Sequence, residues 1–165
     1  MGEVESVFAK ATRALANIEA EDTAVVTLKF RSGAIGVIEA TTVTRPKDLE
    51  GSLSMLGERG SVVVGGFAAN QLETWQFTDS VPDDEAVFEK RGRNPSHPYG
   101  YAHKCYYEHV VDCIINDREQ LVDGLGGRKS LELISAIYES VETGREIPLR
   151  FSPSLCRLGR APGES

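Results

Sequence analysis

Apolar and polar positions alternate most regularly between residues 24 and 30, where the pattern has a period of two. Its apolar members are Ala24, Val26, Leu28 and Phe30, separated by Val25, Thr27 and Lys29. This alternation predicts a β-strand with one face toward a core. Residues 31–34 predict a tight hairpin in which Gly33 supplies a positive φ. Residues 35–43 form the returning strand, and their apolar side chains on both faces predict burial on both sides.

Further stretches have the length and apolar content of strands. They cover residues 4–12, 53–56, 61–64 and 71–77. Short turns separate several of them, as at residues 57–60, so neighbouring strands are predicted to be antiparallel.

Two helices are predicted in the second half of the chain, at about residues 99–115 and, after a loop at 116–127, at residues 128–140. The second carries a predicted apolar stripe at helical spacing, made by Leu131, Ile134, Tyr138 and Val141. Gly144 stands where a left-handed helix cap belongs. Residues 147–151 then alternate as a closing strand, in which Pro148 suits a sheet edge.

This order of elements predicts an α+β fold, a mostly antiparallel open β-sheet with helices packed on one face. Such a layout leaves the other face of the sheet uncovered. Val25 and Val37 fall on that face, and an uncovered apolar face usually finds a partner. Scattered surface valines are the simpler alternative.

Composition narrows the class of protein further. The chain has 165 residues, a net charge of −7 and a pI of about 5.0, with no basic run. Nucleic acid and anionic membranes are therefore not expected as partners. No apolar stretch approaches the ~20 residues that cross a bilayer. We expect a cytoplasmic protein, because no signal peptide is visible and the three cysteines form no CxxC pair.

Several motifs that would carry chemistry are missing. No GxGxxG follows a predicted strand, and residues 124–130 fail the phosphate-loop pattern because Arg128 separates Gly127 from Lys129. Cys105, His109 and Cys113 share a helical face, but the two cysteines stand about 12 Å apart along the axis. One zinc ion holds each ligand at only about 2.0–2.3 Å, so no metal is expected. No catalytic residue can be assigned.

Residues 78–98 form the longest predicted loop, which is polar and aperiodic. The junction between this loop and the first helix is the best candidate for ligand contacts. Tyr and His side chains offer hydrogen bonds beside a flat apolar face, which suits a sugar or nucleotide-sugar. The candidate residues are Asn94, His97, Tyr99, Tyr101 and His103. A helix entry capped by Ser96 explains the same residues without a ligand. Trp75 also has two interpretations: it is a platform for a ligand, or it is a residue of the core or of an interface.

Several ordered stretches resemble one enzyme family. They are Glu21-Asp22-Thr23-Ala24, Phe30-x-x-Gly33-Ala34, Leu56-Gly57-Glu58-Arg59-Gly60-Ser61, Asn70-x-Leu72-x-x-Trp75-x-Phe77, the helix at 130–140 with Gly144–Leu149, and Leu149-Arg150-Phe151. Together they resemble the second domain of the Gfo/Idh/MocA oxidoreductases. The Trp75 stretch, the 130–140 helix and the closing residues look closest to the branch that oxidises UDP-N-acetyl-amino-sugar uronates.

The resemblance implies a two-domain enzyme, of which this chain is expected to contain the second domain. In that family an N-terminal Rossmann domain binds NAD(P), and hydride moves between the nicotinamide and a sugar carbon. No position here matches the family's catalytic or cofactor residues, so none is assigned. The expected organisation is a substrate-binding and oligomerisation domain at 1–151, like the C-terminal domain of dihydrodipicolinate reductase, and a tail at 152–165.

By position, residues 94–103 match the family's substrate-facing loop, which favours the ligand interpretation of the five candidates. The resemblance also implies a homo-oligomer formed through the open sheet face, and a chain that is inactive without its Rossmann domain. The alternative is a stand-alone, sheet-mediated dimer that binds a sugar or acts as a scaffold without catalysis.

Overall fold

The computed structural model describes most of the chain. The described residues are 1–47, 51–66, 69–79, 84, 86–87 and 102–150. Within them the principal elements are β1 (Val4–Thr12), β2 (Thr23–Phe30), β3 (Ile35–Thr41), β4 (Leu53–Gly57), β5 (Gly60–Gly65), β6 (Gln71–Phe77), α1 (Ala102–Ile115), α2 (Gly124–Thr143) and β7 (Ile147–Pro148). The α+β class and the antiparallel strands predicted from the sequence are confirmed.

The strands form two sheets rather than one. A four-stranded sheet has the order β3-β2-β1-β7, and a three-stranded sheet has the order β4-β5-β6. They belong to two compact units, one joining Met1–Thr44 to the described residues after Gln120, the other being Arg45–Gln120. Among the described residues, β4, β5 and β6 pair with their own chain neighbours through short turns, as the sequence predicts.

The β2–β3 hairpin follows the sequence prediction closely. Gly33 has a φ of +88°, a conformation that side-chain-bearing residues rarely adopt. The Phe30 N–H donates to the Ala34 carbonyl at 2.9 Å and closes the turn. The turn sets a register in which Val26 lies opposite Ile38 and Thr27 opposite Val37.

The core of the first unit lies between the four-stranded sheet and α2. Val7, Ala9 and Val26 from the strands are at most 3% exposed, and they pack with Ala136 and Ile147. Burying such side chains stabilises the fold by about 1.5–3 kcal/mol for each residue of valine or leucine size. This face of the sheet is the one that the alternation in β2 predicted as the buried face.

The stripe of α2 that meets the sheet differs from the predicted one. Its members are Leu133, Ala136, Ile137, Ser140 and Val141. Of the predicted stripe only Val141 belongs to it, while Leu131 is 65% exposed and Ile134 is 43% exposed. Small residues explain the difference: Ala136 and a fully buried Ser140 let the helix approach β1 closely, and neither counts as strongly apolar in a sequence pattern.

Both ends of α2 are capped. The Asp123 carboxylate accepts the Gly126 N–H at 2.7 Å, so the helix begins at Gly124, before the predicted start at about Arg128. At the other end Gly144 has a φ of 65° and its N–H donates to the Ser140 carbonyl. The predicted C-cap is confirmed, whereas the predicted N-terminal boundary was wrong because the Asp123 signal outweighs the glycines that follow it.

Strand β7 is short, and polar contacts complete its attachment. It pairs only Ile147 with Val7 and Pro148 with Ser6. The Ser140 hydroxyl accepts the next free donor of β1, the Ala9 N–H, at 2.9 Å, and itself donates to the Arg145 carbonyl at 2.6 Å. Because β7 is the last strand of the sheet, Pro148 stands at a sheet edge, as predicted. Residue 151, the end of the predicted closing strand, lies outside the described residues.

The second unit contains β4–β6 and α1. Strand β5 lies in the middle, with Val62 opposite Trp75 and Met55. Among its described residues the most buried apolar side chains are Cys113 on α1, at 3% exposure, and Leu72 on β6, at 8%. α1 ends at Ile115, as predicted, while residues 99–101 of the predicted helix lie outside the described residues. In the described part of the chain, no helix is both long and apolar enough to cross a membrane.

Candidate functional site

Of the five predicted ligand contacts, one lies in the described part of the chain. His103 is the second residue of α1, and its side chain is exposed. A helix start fixes the backbone of this residue while leaving the imidazole accessible from solvent. Asn94, His97, Tyr99 and Tyr101 lie outside the described residues, so distances among the five are not part of the structure.

Contacts within the chain account for the face of α1 that carries Cys105, His109 and Cys113. Cys113 is only 3% exposed, and its Sγ lies 3.5 Å from His109 Nε2. The thiol also donates to the Glu119 carbonyl at 3.4 Å, while Cys105 is exposed. Among the described residues, no group of three or more His, Cys, Asp or Glu side chains is placed to hold a metal ion. Cys113 therefore acts as a packed thiol that anchors the residues after α1.

Two glycine-rich stretches are candidate binding sites for the pyrophosphate of a dinucleotide. At residues 124–127 the Asp123 carboxylate already holds the Gly126 N–H, and its negative charge would repel a phosphate. At Gly65 an added Cβ would lie 2.2 Å from a Glu73 carboxylate oxygen, so this glycine makes room for another acid. Neither glycine-rich stretch therefore fits the pyrophosphate of NAD(P), and no step of hydride transfer is assigned to these residues.

Trp75 is engaged by its neighbours. It is half-buried on β6, and its indole Nε1–H donates to the Asp84 carboxylate at 2.8 Å. Phe77 meets the ring edge-on with centroids 5.1 Å apart. Because the polar group of the indole already has an acidic partner, the packing interpretation of Trp75 accounts for the contacts in the structure.

A buried acid that the sequence analysis did not single out organises the loop between β1 and β2. Asp22 is 2% exposed, and its carboxylate accepts the backbone N–H groups of Ala14, Leu15 and Ala16 at 2.7–3.1 Å. These donors hold the pKa of the Asp22 carboxyl well below its usual range. The loop is thereby fixed at the end of the sheet. In the sequence, the signal for this role is the acid within the Glu21–Ala24 motif.

The loop is also fastened to the helix. The Tyr138 hydroxyl donates to the Glu21 carboxylate at 2.8 Å. Leu15 and Ile18, which the Asp22 contacts leave at the surface of the loop, are 70% and 41% exposed. A rigid loop with exposed apolar side chains is suited to packing against another surface.

The face of the four-stranded sheet opposite α2 is open, as predicted. Val25 is 46% exposed, Val37 is 63% exposed and Ile35 is 81% exposed. The predicted burial of β3 on both faces was therefore wrong within a single chain, because no element of the described chain covers these side chains. We call this surface the open face. Strands β1, β2 and β3 contribute Phe8, Lys10, Val25, Thr27, Lys29, Ile35, Val37 and Glu39 to it.

The fold and the surface together define a class of domain. It is an α+β domain whose sheet is covered by a helix on one face and open on the other. Its described residues contain no dinucleotide-binding loop. A family model described as "Oxidoreductase family, C-terminal alpha/beta domain" matches residues 1–149. The chain belongs to this Gfo/Idh/MocA oxidoreductase family and represents its C-terminal domain. No curated protein sequence matches it.

Solved structures place the chain near one branch of the family. It is 42% identical to the WlbA dehydrogenase from Bordetella pertussis, solved with NADH and UDP-GlcNAcA, with a TM-score of 0.80. It is 41% identical to the WlbA dehydrogenase from Chromobacterium violaceum, solved with the same two ligands, with a TM-score of 0.77. The matches cover 91% and 92% of this chain but only 43% and 42% of those proteins. The chain thus spans about two fifths of their length.

Proposed function

We propose that this chain is the substrate-binding and assembly domain of an NAD-dependent dehydrogenase acting on a nucleotide-linked amino-sugar uronate such as UDP-GlcNAcA. The observation that carries the proposal is 42% identity over 91% of the chain to a dehydrogenase solved with that sugar nucleotide and NADH. Identity at this level extends through the candidate domain rather than over a short motif.

Substrate contacts are proposed at the start of α1 and in the loop before it. Asn94, His97, Tyr99, Tyr101 and His103 supply amide, imidazole and phenol groups, which hydrogen-bond sugar hydroxyls and a carboxylate. The exposed position of His103 at the second residue of α1 supports this assignment, because the imidazole is accessible to a ligand. A chain of net charge −7 needs such local donors to hold a sugar nucleotide that carries both a diphosphate and a carboxylate.

The cofactor is proposed to bind outside the described residues, in a Rossmann domain of the parent protein. The acids beside both glycine-rich stretches support this, since Asp123 and Glu73 oppose a pyrophosphate. It follows that the chain alone transfers no hydride. The free thiols Cys105 and Cys113 further support a reducing, cytoplasmic location for the parent.

Isothermal calorimetry of the purified chain with UDP-GlcNAcA and with NADH, in separate titrations, tests this proposal. We expect heat from the sugar nucleotide and none from NADH. His103→Ala should weaken sugar-nucleotide binding about tenfold or more, as expected for a lost hydrogen bond to a charged group. Lys104→Ala, an exposed neighbour on the same helix, is the matched control. Binding of NADH, or binding of neither ligand, would contradict the proposal.

Assembly is proposed to use the open face. Three large apolar side chains there, Val25, Ile35 and Val37, are 46–81% exposed, which favours a covering partner. A second copy of the chain provides the same apolar surface. Sedimentation equilibrium should therefore give at least a dimer, and Val37→Lys should give a monomer of unchanged circular dichroism. A monomeric wild-type chain at high micromolar concentration would contradict the assembly role while leaving the substrate proposal standing.

A further inference from the structure

The helix α2 carries a second apolar stripe besides the one that meets the sheet. Leu131, Ile134 and Tyr138 follow each other at spacings of three and four residues, so they share one side of the helix. Leu131 is 65% exposed, Ile134 is 43% exposed and Tyr138 is half-buried. We call these three residues the outer stripe. Neighbouring aliphatic side chains at this exposure favour a covering segment.

The outer stripe and the charges around it define what such a segment must offer. The polar atom of the stripe, the Tyr138 hydroxyl, already donates to the Glu21 carboxylate, so the remaining surface is aliphatic. From Leu131 to its end the helix carries no base and three acids, Glu132, Glu139 and Glu142. A segment with aliphatic side chains and positive charge therefore complements this part of α2.

The chain that follows α2 runs back along the helix. The Leu149 N–H donates to the Glu5 carbonyl at 3.0 Å, and the Arg150 guanidinium forms an ion pair with the Glu139 carboxylate. Arg150 lies six residues after the cap at Gly144, whereas Glu139 lies five residues before it. The chain therefore reverses at Gly144, and its last described residue is held beside the middle of α2.

The tail at 152–165 has the composition that the outer stripe requires. Its aliphatic residues of leucine size are Leu155 and Leu158, and Arg157 and Arg160 lie close to them in the sequence. The first acid of the tail is Glu164. The part of the tail nearest to Arg150 is therefore both aliphatic and positively charged.

The distances along the helix are short enough for this part of the tail. Ile134 and Leu131 lie five and eight residues before Glu139, about 8 Å and 12 Å along the helix axis. Leu155 and Leu158 lie five and eight residues after Arg150, and such lengths of extended chain span up to about 17 Å and 27 Å. Each leucine of the tail can therefore reach one aliphatic residue of the stripe.

We infer that the outer stripe is the docking surface of the chain's own tail, with Leu155 over Ile134 and Leu158 over Leu131. A short tether holds two groups at an effective concentration on the order of millimolar, so a contact too weak to hold a separate protein is sufficient here. The tail follows residue 149, where the match to the family model ends. Its docking depends neither on the proposed substrate nor on assembly through the open face.

Disulfide trapping tests the docking, because Cys156 lies between the two leucines of the tail. Ser135→Cys places a second thiol next to Ile134, in a Cys105→Ser background that removes the exposed thiol of α1. With oxidised glutathione, Cys156 should form this disulfide within one chain at least tenfold faster than in a control variant. The control is Thr27→Cys in the same background, on the open face. Adding Leu155→Ser/Leu158→Ser should lower the rate to that of the control.

Peptide mass mapping distinguishes a disulfide within one chain from a disulfide between two chains. Equal rates for Ser135→Cys and Thr27→Cys would overturn the docking and leave the outer stripe to another segment of the parent protein. A Ser135→Cys disulfide that joins two chains would assign the stripe to the tail of a second copy and overturn docking within one chain. A fast disulfide that Leu155→Ser/Leu158→Ser does not slow would also overturn it, because the leucines then make no contact.

A double-mutant cycle without added cysteines provides an independent measurement. Leu131→Ala and Leu158→Ala should be coupled by about threefold or more in the unfolding equilibrium constant, because side chains in contact are not additive. The matched control pairs Leu158→Ala with Ile35→Ala, which is 81% exposed on the open face and should be additive. Urea denaturation followed by circular dichroism measures both pairs. Additivity of Leu131→Ala and Leu158→Ala would overturn the proposed contact.

Discussion

The two faces of the four-stranded sheet carry apolar side chains in neighbouring positions, yet their environments are opposite. Val26 is 3% exposed beneath α2, whereas Val25, the preceding residue of β2, is 46% exposed on the open face. The strand pattern determines which side chains share a face. Whether a face is buried depends on what packs against it, here a helix that begins almost 100 residues later.

Truncation of one valine on each face of β2 should give the largest difference in stability between the two faces. Val26→Ala should lower the free energy of unfolding by about 2 kcal/mol, through lost burial and the cavity left behind. Val25→Ala should change it by no more than about 0.5 kcal/mol at concentrations where the chain is dissociated. Amide hydrogen exchange in β1 and β2 measures both. The fluorescence of Trp75, the single tryptophan, reports the other unit as an internal control.

Equal effects of the two substitutions would mean that the open face is buried in the dissociated chain. Such a result would contradict the exposures of Val25 and Val37 and remove the physical basis of the assembly proposal.

A somewhat smaller effect is expected from the polar contact that holds α2 against the covered face. Ser140→Ala removes the acceptor of the Ala9 N–H and should cost about 1.5 kcal/mol, because a buried donor is left without a partner. Ser135→Ala, on the same helix, should change stability by less than about 0.5 kcal/mol. Urea denaturation followed by circular dichroism compares the two variants. No difference between them would show that the Ser140 hydroxyl contributes only packing.

The smallest effect concerns the loop at the end of the sheet. Asp22→Asn retains one acceptor oxygen but loses the negative charge that the three backbone N–H groups stabilise, so Tm at pH 7 should fall by about 2–4 °C. The folded-state pKa of Asp22 is lowered, so its contribution is complete above the unfolded-state pKa of about 3.9 and decreases as the pH falls below it. The Tm difference between wild type and variant should therefore narrow between about pH 5 and pH 3.

Thermal scans across that pH range provide the measurement, with the exposed Glu19→Gln in the same loop as control. A difference that stays constant with pH would mean that the Asp22 charge does not stabilise the fold and that shape alone orders the loop.

Much of the fold could be predicted because neighbouring residues decide it. The alternation at residues 24–30 and the glycine at position 33 specify a hairpin and its two faces, and the structure has both. The pairing of β7 with β1 joins Ile147 to Val7 across most of the described chain, and local patterns do not contain that information. The exposure of Val37 and Ile35 likewise depends on elements far away in the sequence.

The helix α2 shows where the sequence was misleading. Leu131 and Ile134 are the more apolar residues, and a hydrophobic pattern alone prefers them to Ala136 and Ser140. The close approach of α2 to β1 requires small side chains, and the buried Ala9 N–H requires a hydroxyl acceptor. Ala136 and Ser140 therefore face the sheet in place of Leu131 and Ile134. Its early start follows from Asp123, a standard N-cap residue that the glycines at 124–127 obscured.

The candidate site was only partly accessible to sequence reasoning. His103 was identified from residue type and position, and the structure adds its exposed place at the start of α1. Asp22 was missed because its role depends on three backbone amides in a loop, whose geometry no residue pattern encodes. The proposed substrate contacts before residue 102 still depend on the family resemblance.

The contact between Ser140 and Ala9 also has a consequence for solubility. Beyond the two residues of β7, the outer edge of β1 would present unpaired amides to any extended segment, which is a common route to edge-to-edge aggregation. The helix closes part of that edge with a side-chain hydroxyl instead of a further strand. Removing the hydroxyl should therefore make the chain more prone to forming β-rich aggregates during expression, even under conditions in which most molecules remain folded.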